Sequence, residues 1–511
     1  MCTSTVLVYA NVISYSDFLF LLLIVGIFVL ILLCGEAAGL PPGPPRIPLI
    51  GHLFQLDRDH PELTLDRWTD QYGPVMRIYF GNQPVICLSS IELVQEALVR
   101  QGEIFSGRPH MYTFDVYQKG RHGIINMDGP AQKEQRRFAL SILRDLGLGR
   151  GLMEQRINEE RMTLLDYLKS IENEPVDMMI PLKICIANVM AQVLFSKRFD
   201  HEDPDFVIYQ KAIADILQYI KVQPLNYFPI LRWILPEGLG LKKMRAHQDV
   251  INNFFKTYIE KERQRIGSEN IKDEDIENFT QAYLLKLQSL SSSKEIHYFS
   301  DDQLIAVIDN LFIAGFETTV TTFLWTIPLL VHNPDAQDRI FREIRENIGS
   351  IPGWDQRNQL PYLNATILEC MRIANIAPMG LFHSNLEETK LGKYLIPKRS
   401  TILINMWRLF RDPRHFPEPD KFFPDRFFDP TGSDPDVKAR RDALIVFSLG
   451  KRACLGEGLA RMELFLVLSA LIYTYEFRPV DPKDPPVLTR KPGFTISPYP
   501  YRVKLIRREC E

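Results

Sequence analysis

Positions 18–34 read FLFLLLIVGIFVLILLC, an apolar run without a charged residue. As a helix it spans roughly 26 Å, close to the ~27 Å hydrocarbon core of an endoplasmic reticulum membrane. A cleaved signal peptide normally carries a positive segment first, and none of residues 1–17 is Lys or Arg. The first basic residue, Arg46, follows the run. The pattern predicts a single uncleaved anchor, with residues 1–39 as luminal N-terminus and transmembrane helix and the rest of the chain cytosolic. Residues 40–50 are read as a linker, and LPPGPPRIP at 40–48 predicts a stiff strap because proline fixes φ.

Further on, residues 248–265 and 457–475 read as amphipathic helices. Short β-type runs at 75–79 and 84–88 are few. Ser300 and Gln303 have capping-box spacing at the start of a long apolar helix. Residues 205–241 mix Ile216, Leu217, Tyr219, Ile220, Tyr227, Phe228, Ile230, Trp233 and Ile234. They fit either a core helix or a face dipping into a bilayer. The acidic stretch 270–278 and the serine-rich 289–294 read as surface loops. No repeat or second composition break follows. Residues 51–511 are therefore one domain, mainly α with a minor β region.

A chain of 511 residues buries a large core without disulfides or a structural metal. Its net charge of -3 argues against nucleic acid as the main partner. The seven cysteines (Cys2, Cys34, Cys87, Cys185, Cys370, Cys454, Cys510) are scattered and show no CxxC pair. That excludes a disulfide framework and a cysteine-rich metal cluster.

Cys454 stands apart. It lies in Phe447-Ser-Leu-Gly450-Lys-Arg452-Ala-Cys454-Leu-Gly456, directly before a helix. A neighbouring cation and a helix N-terminus both favour thiolate. The glycines admit close approach of a flat partner. One cysteine cannot hold zinc or a cluster, but it can ligate an iron already held by a porphyrin.

This segment resembles the cytochrome P450 superfamily, whose signature FxxGxRxCxG it matches completely. Two further stretches share the resemblance. Ala314-Gly315-Phe316-Glu317-Thr318-Thr319 is similar to the family's AGx(D/E)T segment. Glu369-Cys-Met-Arg372, with Arg426 in Pro424-Asp-Arg426-Phe427, is similar to its ExxR set. The resemblance runs from Pro41 to about Leu505, and residues 188–200 look like the microsomal, animal group that includes vertebrate drug- and steroid-oxidising members.

The resemblance implies a P450 fold carrying haem b (iron protoporphyrin IX). Cys454 would be the axial iron ligand, with Phe447, Gly450, Ala314 and Gly315 against the ring. Arg108, Gln132, Arg136, His383 and Arg452 would donate to the propionates. Family members usually carry tryptophan at the place of Gln132, which keeps a donor but loses aromatic packing. Thr318 and Glu317 would relay protons to dioxygen, while Glu369, Arg372 and Arg426 would form a buried structural network. The implied reaction is RH + O₂ + NADPH + H⁺ → ROH + H₂O + NADP⁺.

No GxGxxG is present, so electrons would come from NADPH–cytochrome P450 reductase, with cytochrome b5 as a second donor. Arg137, Lys438, Arg440, Arg441 and Lys451 are read as a basic docking face or as ordinary solvated surface. The pocket is expected from residues 108–124, 213–228, 310–314 and 376–381 and from Phe494. The apolar Phe312, Met379, Leu381 and Phe494 would line it for a sterol, fatty acid or xenobiotic. Two other readings are a haem-thiolate isomerase or dehydratase acting on peroxides and a non-catalytic haem sensor. Two N-glycosylation triplets begin at Asn278 and Asn364; the second abuts the ExxR helix, which fits a cytosolic domain at the endoplasmic reticulum membrane.

Overall fold

Val75–Phe80 (β1) and Gln83–Leu88 (β2), both mostly apolar and buried on both faces, pair as an antiparallel hairpin, Val75 opposite Leu88. The computed structural model describes residues 19–26, 39–147, 151–171, 174–200, 203–219, 224–292 and 296–509. His383–Ser384 (β3) and Thr401–Ile404 (β4) complete a four-stranded sheet in the order β1-β2-β4-β3. β4 runs parallel to β2 and antiparallel to β3. Tyr475–Pro479 (β5) pairs antiparallel with Val503–Arg507 (β6).

Helices form the bulk of the molecule. Those that build the site are α1 (Tyr112–Tyr117), α2 (Gly129–Asp145), α3 (Met179–Phe195), α4 (Pro204–Tyr219), α5 (Leu241–Glu269), α6 (Asp301–His332), α7 (Pro361–Ala374), α8 (Pro435–Ala443) and α9 (Glu457–Thr474). This is the mainly α, minor β architecture expected. Among the described residues, α6 is the one helix long and apolar enough to cross a membrane. It is instead the central core helix, packed between α3, α7 and α9.

Ser300 caps α6 by accepting the Gln303 N–H at 3.1 Å. The other half of the expected capping box is absent. The buried Gln303 side chain binds the backbone of Gly123, accepting at 3.2 Å and donating at 3.0 Å. A buried loop amide needs a partner, and Gln303 supplies it.

α9 departs from the amphipathic reading. Residues 462–472 are buried without a break, so this helix is enclosed on every side. A domain of this size has room for such a helix. The 205–241 region divides between its two readings. Phe206, Tyr209, Ile213 and Ile216 are buried, whereas Ile230, Trp233 and Ile234 are exposed. Tyr209 packs on Phe254 of α5 at 4.7 Å and Phe312 of α6 at 5.3 Å between ring centroids. These rings join α4 and α5 to the central helix.

The proline strap lies on the sheet. Pro42 O accepts from Arg77 N at 2.7 Å, and the His52 ring bonds Pro44 O at 3.0 Å. Residues 19–26 are helical and exposed. The rest of the 18–34 run lies outside the described residues, as do Ile220, Cys2, Cys34 and Cys510.

Candidate functional site

The cysteine loop is shaped by backbone. Gly450 has φ 71°. A Cβ there would run into the carbonyl of Leu98, so this glycine serves close packing of the loop on the protein rather than approach of a ligand. The Cys454 N–H donates to Phe447 O at 2.8 Å and closes the loop. α9 starts three residues later. Cys454 is exposed by accessible area, yet protein surrounds it, because what it faces is an internal cavity.

Burial pushes the Cys454 thiol up, while the N–H groups of Gly456 and Glu457 and the Arg136 guanidinium pull it down. The start of α9 favours the thiolate, as its position before the helix predicts, and one expectation changes. The cation acting on the sulfur is Arg136, not Arg452, because Arg452 turns away to Ser106 O (2.7 Å), Ile124 O (3.2 Å) and Met127 O (2.6 Å).

The cavity has a volume of about 1800 Å³. Cys454, Phe447 and Gly456 line one wall, and Asn310, Ala314, Gly315, Glu317 and Thr318 of α6 line another. Ala314 is open to it, and Thr318 Oγ1 donates to Ala314 O at 2.6 Å. Glu317 is drawn aside by Thr495, which donates at 3.4 Å. Burial raises the Glu317 carboxyl, with Lys183 and Thr495 opposing.

Gly315 lines the cavity, and a Cβ there would press on Met190 at 2.6 Å, so the glycine also lets α6 pack against α3. Phe312 is corrected. It is fully buried among Phe195, Tyr209 and Phe255, because two residues along a helix turn the side chain to the far face. Met379, Leu381 and Phe494 do line the cavity.

Behind the cavity lies a buried ionic network. Arg372 grips Glu369 through two bonds, at 2.8 and 2.9 Å. Arg426 Nε donates to Glu369 Oε1 at 3.0 Å, and Phe423 N to the same oxygen at 2.9 Å. Arg372 also donates to Phe410 O and Pro419 O at 2.9 and 2.7 Å.

The family model for cytochrome P450 matches residues 41–505. The chain belongs to the cytochrome P450 family. It is 34% identical to cytochrome P450 2C21 of Canis lupus familiaris over 473 residues, covering 91% of this chain and 94% of that one. Mouse (Mus musculus) cytochrome P450 2U1 is 32% identical over 495 residues, covering 93% and 92%. Rabbit (Oryctolagus cuniculus) cytochrome P450 2B4 is 32% identical over 475 residues, covering 92% and 94%. Membership makes the chain a haem enzyme and a P450 monooxygenase.

The residues present fit a haem. Arg108, Gln132, Arg136, His383 and Arg452 all line the cavity. Burial, then Arg452 and Arg136, push Arg108 down to about 9. Burial, with Arg136 and Arg121 adding to it, takes Arg452 to about 10. Burial and then Arg108 hold His383 well below its usual range. Cations crowded so closely favour an anionic occupant. Gln132 Nε2 is buried with no hydrogen-bond partner among the described residues, so this cytochrome P450 keeps an unused donor where a propionate would lie.

Two buried acids escaped sequence reasoning. Glu463 accepts from Thr319 Oγ1 at 3.1 Å, and burial pushes it up to about 8. Asp309 accepts from Tyr117 OH at 2.6 Å, and burial pushes it up to about 7. An acid inside an apolar run was the available signal for both.

Asp309 sets a pH prediction. An unfolded aspartate titrates near 3.9. The folded chain holds that proton more tightly, so stability from this group is greatest at low pH and falls as pH rises from about 4 to about 7. Asp309→Asn keeps an acceptor for Tyr117 and removes the titration. Between pH 5.5 and 8.0 wild type loses about 2 kcal/mol relative to the variant, or about 2 °C in a domain of this size. Thermal loss of the haem absorbance at the two pH values, compared between variant and wild type, measures it. A gap that does not widen with pH contradicts the prediction.

Proposed function

We propose that Cys454 is the axial thiolate ligand of haem b and that the chain inserts one oxygen atom from O₂ into an apolar small molecule: a sterol, fatty acid or xenobiotic. The observation that carries this is a single cysteine facing Ala314 and Thr318 across one large cavity with cationic donors at its edge. Bound haem supplies the iron at which dioxygen is reduced and the oxygen atom transferred.

The chain's own residues do the rest. Gln132, Arg136 and His383 would donate to the haem propionates, and Arg108, whose Nε and Nη1 are given to the carbonyls of Ile125, Leu381 and Phe382, would add charge and its remaining donor. Arg452 gives its donors to backbone carbonyls and so acts mainly by charge and by tying the loop down. Ala314, small and open to the cavity, would leave room for the haem and its ligand. Thr318, whose hydroxyl donates to Ala314 O beside the cavity, would pass a proton into it, and Glu317, raised by burial, would resupply that proton. Apolar walls exclude water and hold a C–H bond near the oxygen. Glu369, Arg372 and Arg426 keep the framework behind the haem rigid.

NADPH–cytochrome P450 reductase is the electron donor, with cytochrome b5 as an alternative source. The basic docking face is partly occupied. Lys438 pairs with Asp442 at 2.6 Å and Lys451 with Glu103 at 3.2 Å, whereas Arg440 and Arg441 bind the carbonyls of Arg426 and Phe427. Surface pairs are weak enough for a partner to displace. Arg137, Lys438 and Lys451 are therefore the residues available for docking.

The protein sits at the endoplasmic reticulum membrane with residues 51–511 in the cytosol. Phe54, Ile230, Trp233 and Ile234 are exposed, and Phe54 and Ile230 also line the cavity, so greasy substrates enter from the bilayer side. Asn278 is fully buried and accepts from Gln281 N, which leaves no room for a glycan.

The test is reconstitution of the full chain with the reductase in lipid vesicles, supplied with sterol, fatty acid and xenobiotic panels under ¹⁸O₂. The expected result is an NADPH-dependent product carrying one ¹⁸O atom. Absence of such a product across all three panels contradicts the proposal.

A further inference from the structure

The cavity has a third wall, built by the start of the helix Pro61–Tyr72, the end of α7 and the turn between Arg490–Lys491 and Ser497–Pro498. Two of its side chains are buried, Glu62 at 1% and Asn375 at 2% exposure. Their backbone positions have ordinary explanations. An acid suits the first turn of a helix, and asparagine suits the left-handed φ of 37° that ends α7. Their side-chain ends do not. Glu62 Oε2 and Asn375 Nδ2 are buried with no hydrogen-bond partner among the described residues. Each such atom costs stability until a partner arrives. Both side chains border the cavity, and their terminal torsions are soft, so a small rotation brings these atoms to it.

Arg490 ties the two residues together. It donates to Ala374 O at 2.7 Å and Asn375 O at 3.0 Å, and its guanidinium lies 4.7 Å from the Trp407 ring. Its Nε stops 3.9 Å from Glu62 Oε1, which the His60 ring engages at 3.2 Å. Oε2 is the uncommitted half of the carboxylate. Asp57, Asp59 and Glu62 are matched by Arg58, Lys491 and Arg490, so a full charge of either sign gains little there. A neutral group that donates to a carboxylate and accepts from an amide suits both orphaned atoms, and a hydroxyl is the small group that does so. Ile376, Met379 and Phe494 continue the wall as apolar surface for the rest of the molecule.

We propose that this wall is a hydroxyl-binding subsite: Glu62 accepts a hydrogen bond from a neutral alcohol whose remaining surface is apolar, and the Asn375 amide donates to the alcohol oxygen. The substrates are then alcohols oxidised at a carbon other than the one bearing the hydroxyl. This rests on the monooxygenase reading and narrows its substrate class.

The experiment is equilibrium dialysis of radiolabelled 1-dodecanol and undecyl methyl ether against the haem-loaded full chain in lipid nanodiscs, with binding to empty discs subtracted. The two probes are equal in size, and the ether accepts but does not donate. Wild type is expected to bind the alcohol roughly tenfold more tightly. In Glu62→Gln the amide oxygen stays toward Arg490, which can only donate, and the NH₂ group replaces Oε2, so the ratio falls to about one. Loss of packing alone would weaken both probes and keep the ratio. Asn375→Gly keeps the left-handed backbone and removes the donor, so it weakens both probes about threefold at an unchanged ratio. Equal wild-type affinities, or the same ratio kept in Glu62→Gln, overturn the proposal, and so does full-strength binding of both probes in Asn375→Gly. Failure of the monooxygenase reading shows separately, as a wild-type carbon monoxide spectrum lacking the thiolate band.

Discussion

Arg372→Ala will yield little or no soluble, haem-loaded protein. The side chains of Arg372 and Glu369 are fully buried. Removing the guanidinium strips Glu369 of two charge-assisted bonds and leaves the carbonyls of Phe410 and Pro419 without their donor. Breaking a buried pair by deleting one partner costs about 3–5 kcal/mol. That is a large part of the 5–15 kcal/mol by which folded proteins are stable. Arg426 alone cannot compensate, since it reaches only one Glu369 oxygen. Arg372→Lys keeps the charge but not the two-pronged grip, so it recovers part of the loss. The exposed pair Lys438–Asp442 is the control: Lys438→Ala should change stability by less than about 1 kcal/mol. Haem absorbance per milligram of soluble protein, read for all three variants, checks the ranking. Normal haem content in Arg372→Ala contradicts it.

Thr318→Ala will fold and take up haem but will waste electrons. Alanine is a good helix former, so the change removes a hydroxyl and a methyl group and little else. The hydroxyl now donates to Ala314 O at 2.6 Å, one turn back along α6 and facing the cavity. Without it, protons from the Glu317 side arrive late or at the wrong oxygen atom. NADPH use should fall modestly, hydrogen peroxide should rise, and product per NADPH should drop by about tenfold or more. Thr318→Ser restores the hydroxyl and most of the coupling. Glu317→Gln slows turnover instead, because the titratable group is gone. Equal product per NADPH in wild type and Thr318→Ala contradicts the relay.

What could be read in the sequence was what short spacing encodes. The loop from Phe447 to Gly456, the stripe through Ala314 and Thr318, and the pairing of Glu369 with Arg372 each depend on residues within a few positions of one another. What could not be read depends on distant contacts. Gln303 caps its own helix in isolation, but the fold brings Gly123 beside it. Arg452 looks like a partner for the nearby sulfur until the loop of residues 124–127 offers it two carbonyls. Asp309 is unremarked until Tyr117 of α1 meets it. The misread faces share one cause: a helix enclosed on all sides loses the polar stripe that reveals its orientation. α9 hides its burial this way, and α6 hides that Phe312 points to the aromatic core.

The most direct test of Cys454 as the iron ligand is the carbon monoxide difference spectrum of the reduced protein. Cys370 is the comparison, since it is buried and held up to about 12 by burial, as an inert core thiol should be. Wild type and Cys370→Ser are expected to show the red-shifted Soret band of thiolate-ligated haem, and Cys454→Ser to lose it while its helical content is retained. A full red-shifted band in folded Cys454→Ser would contradict the account.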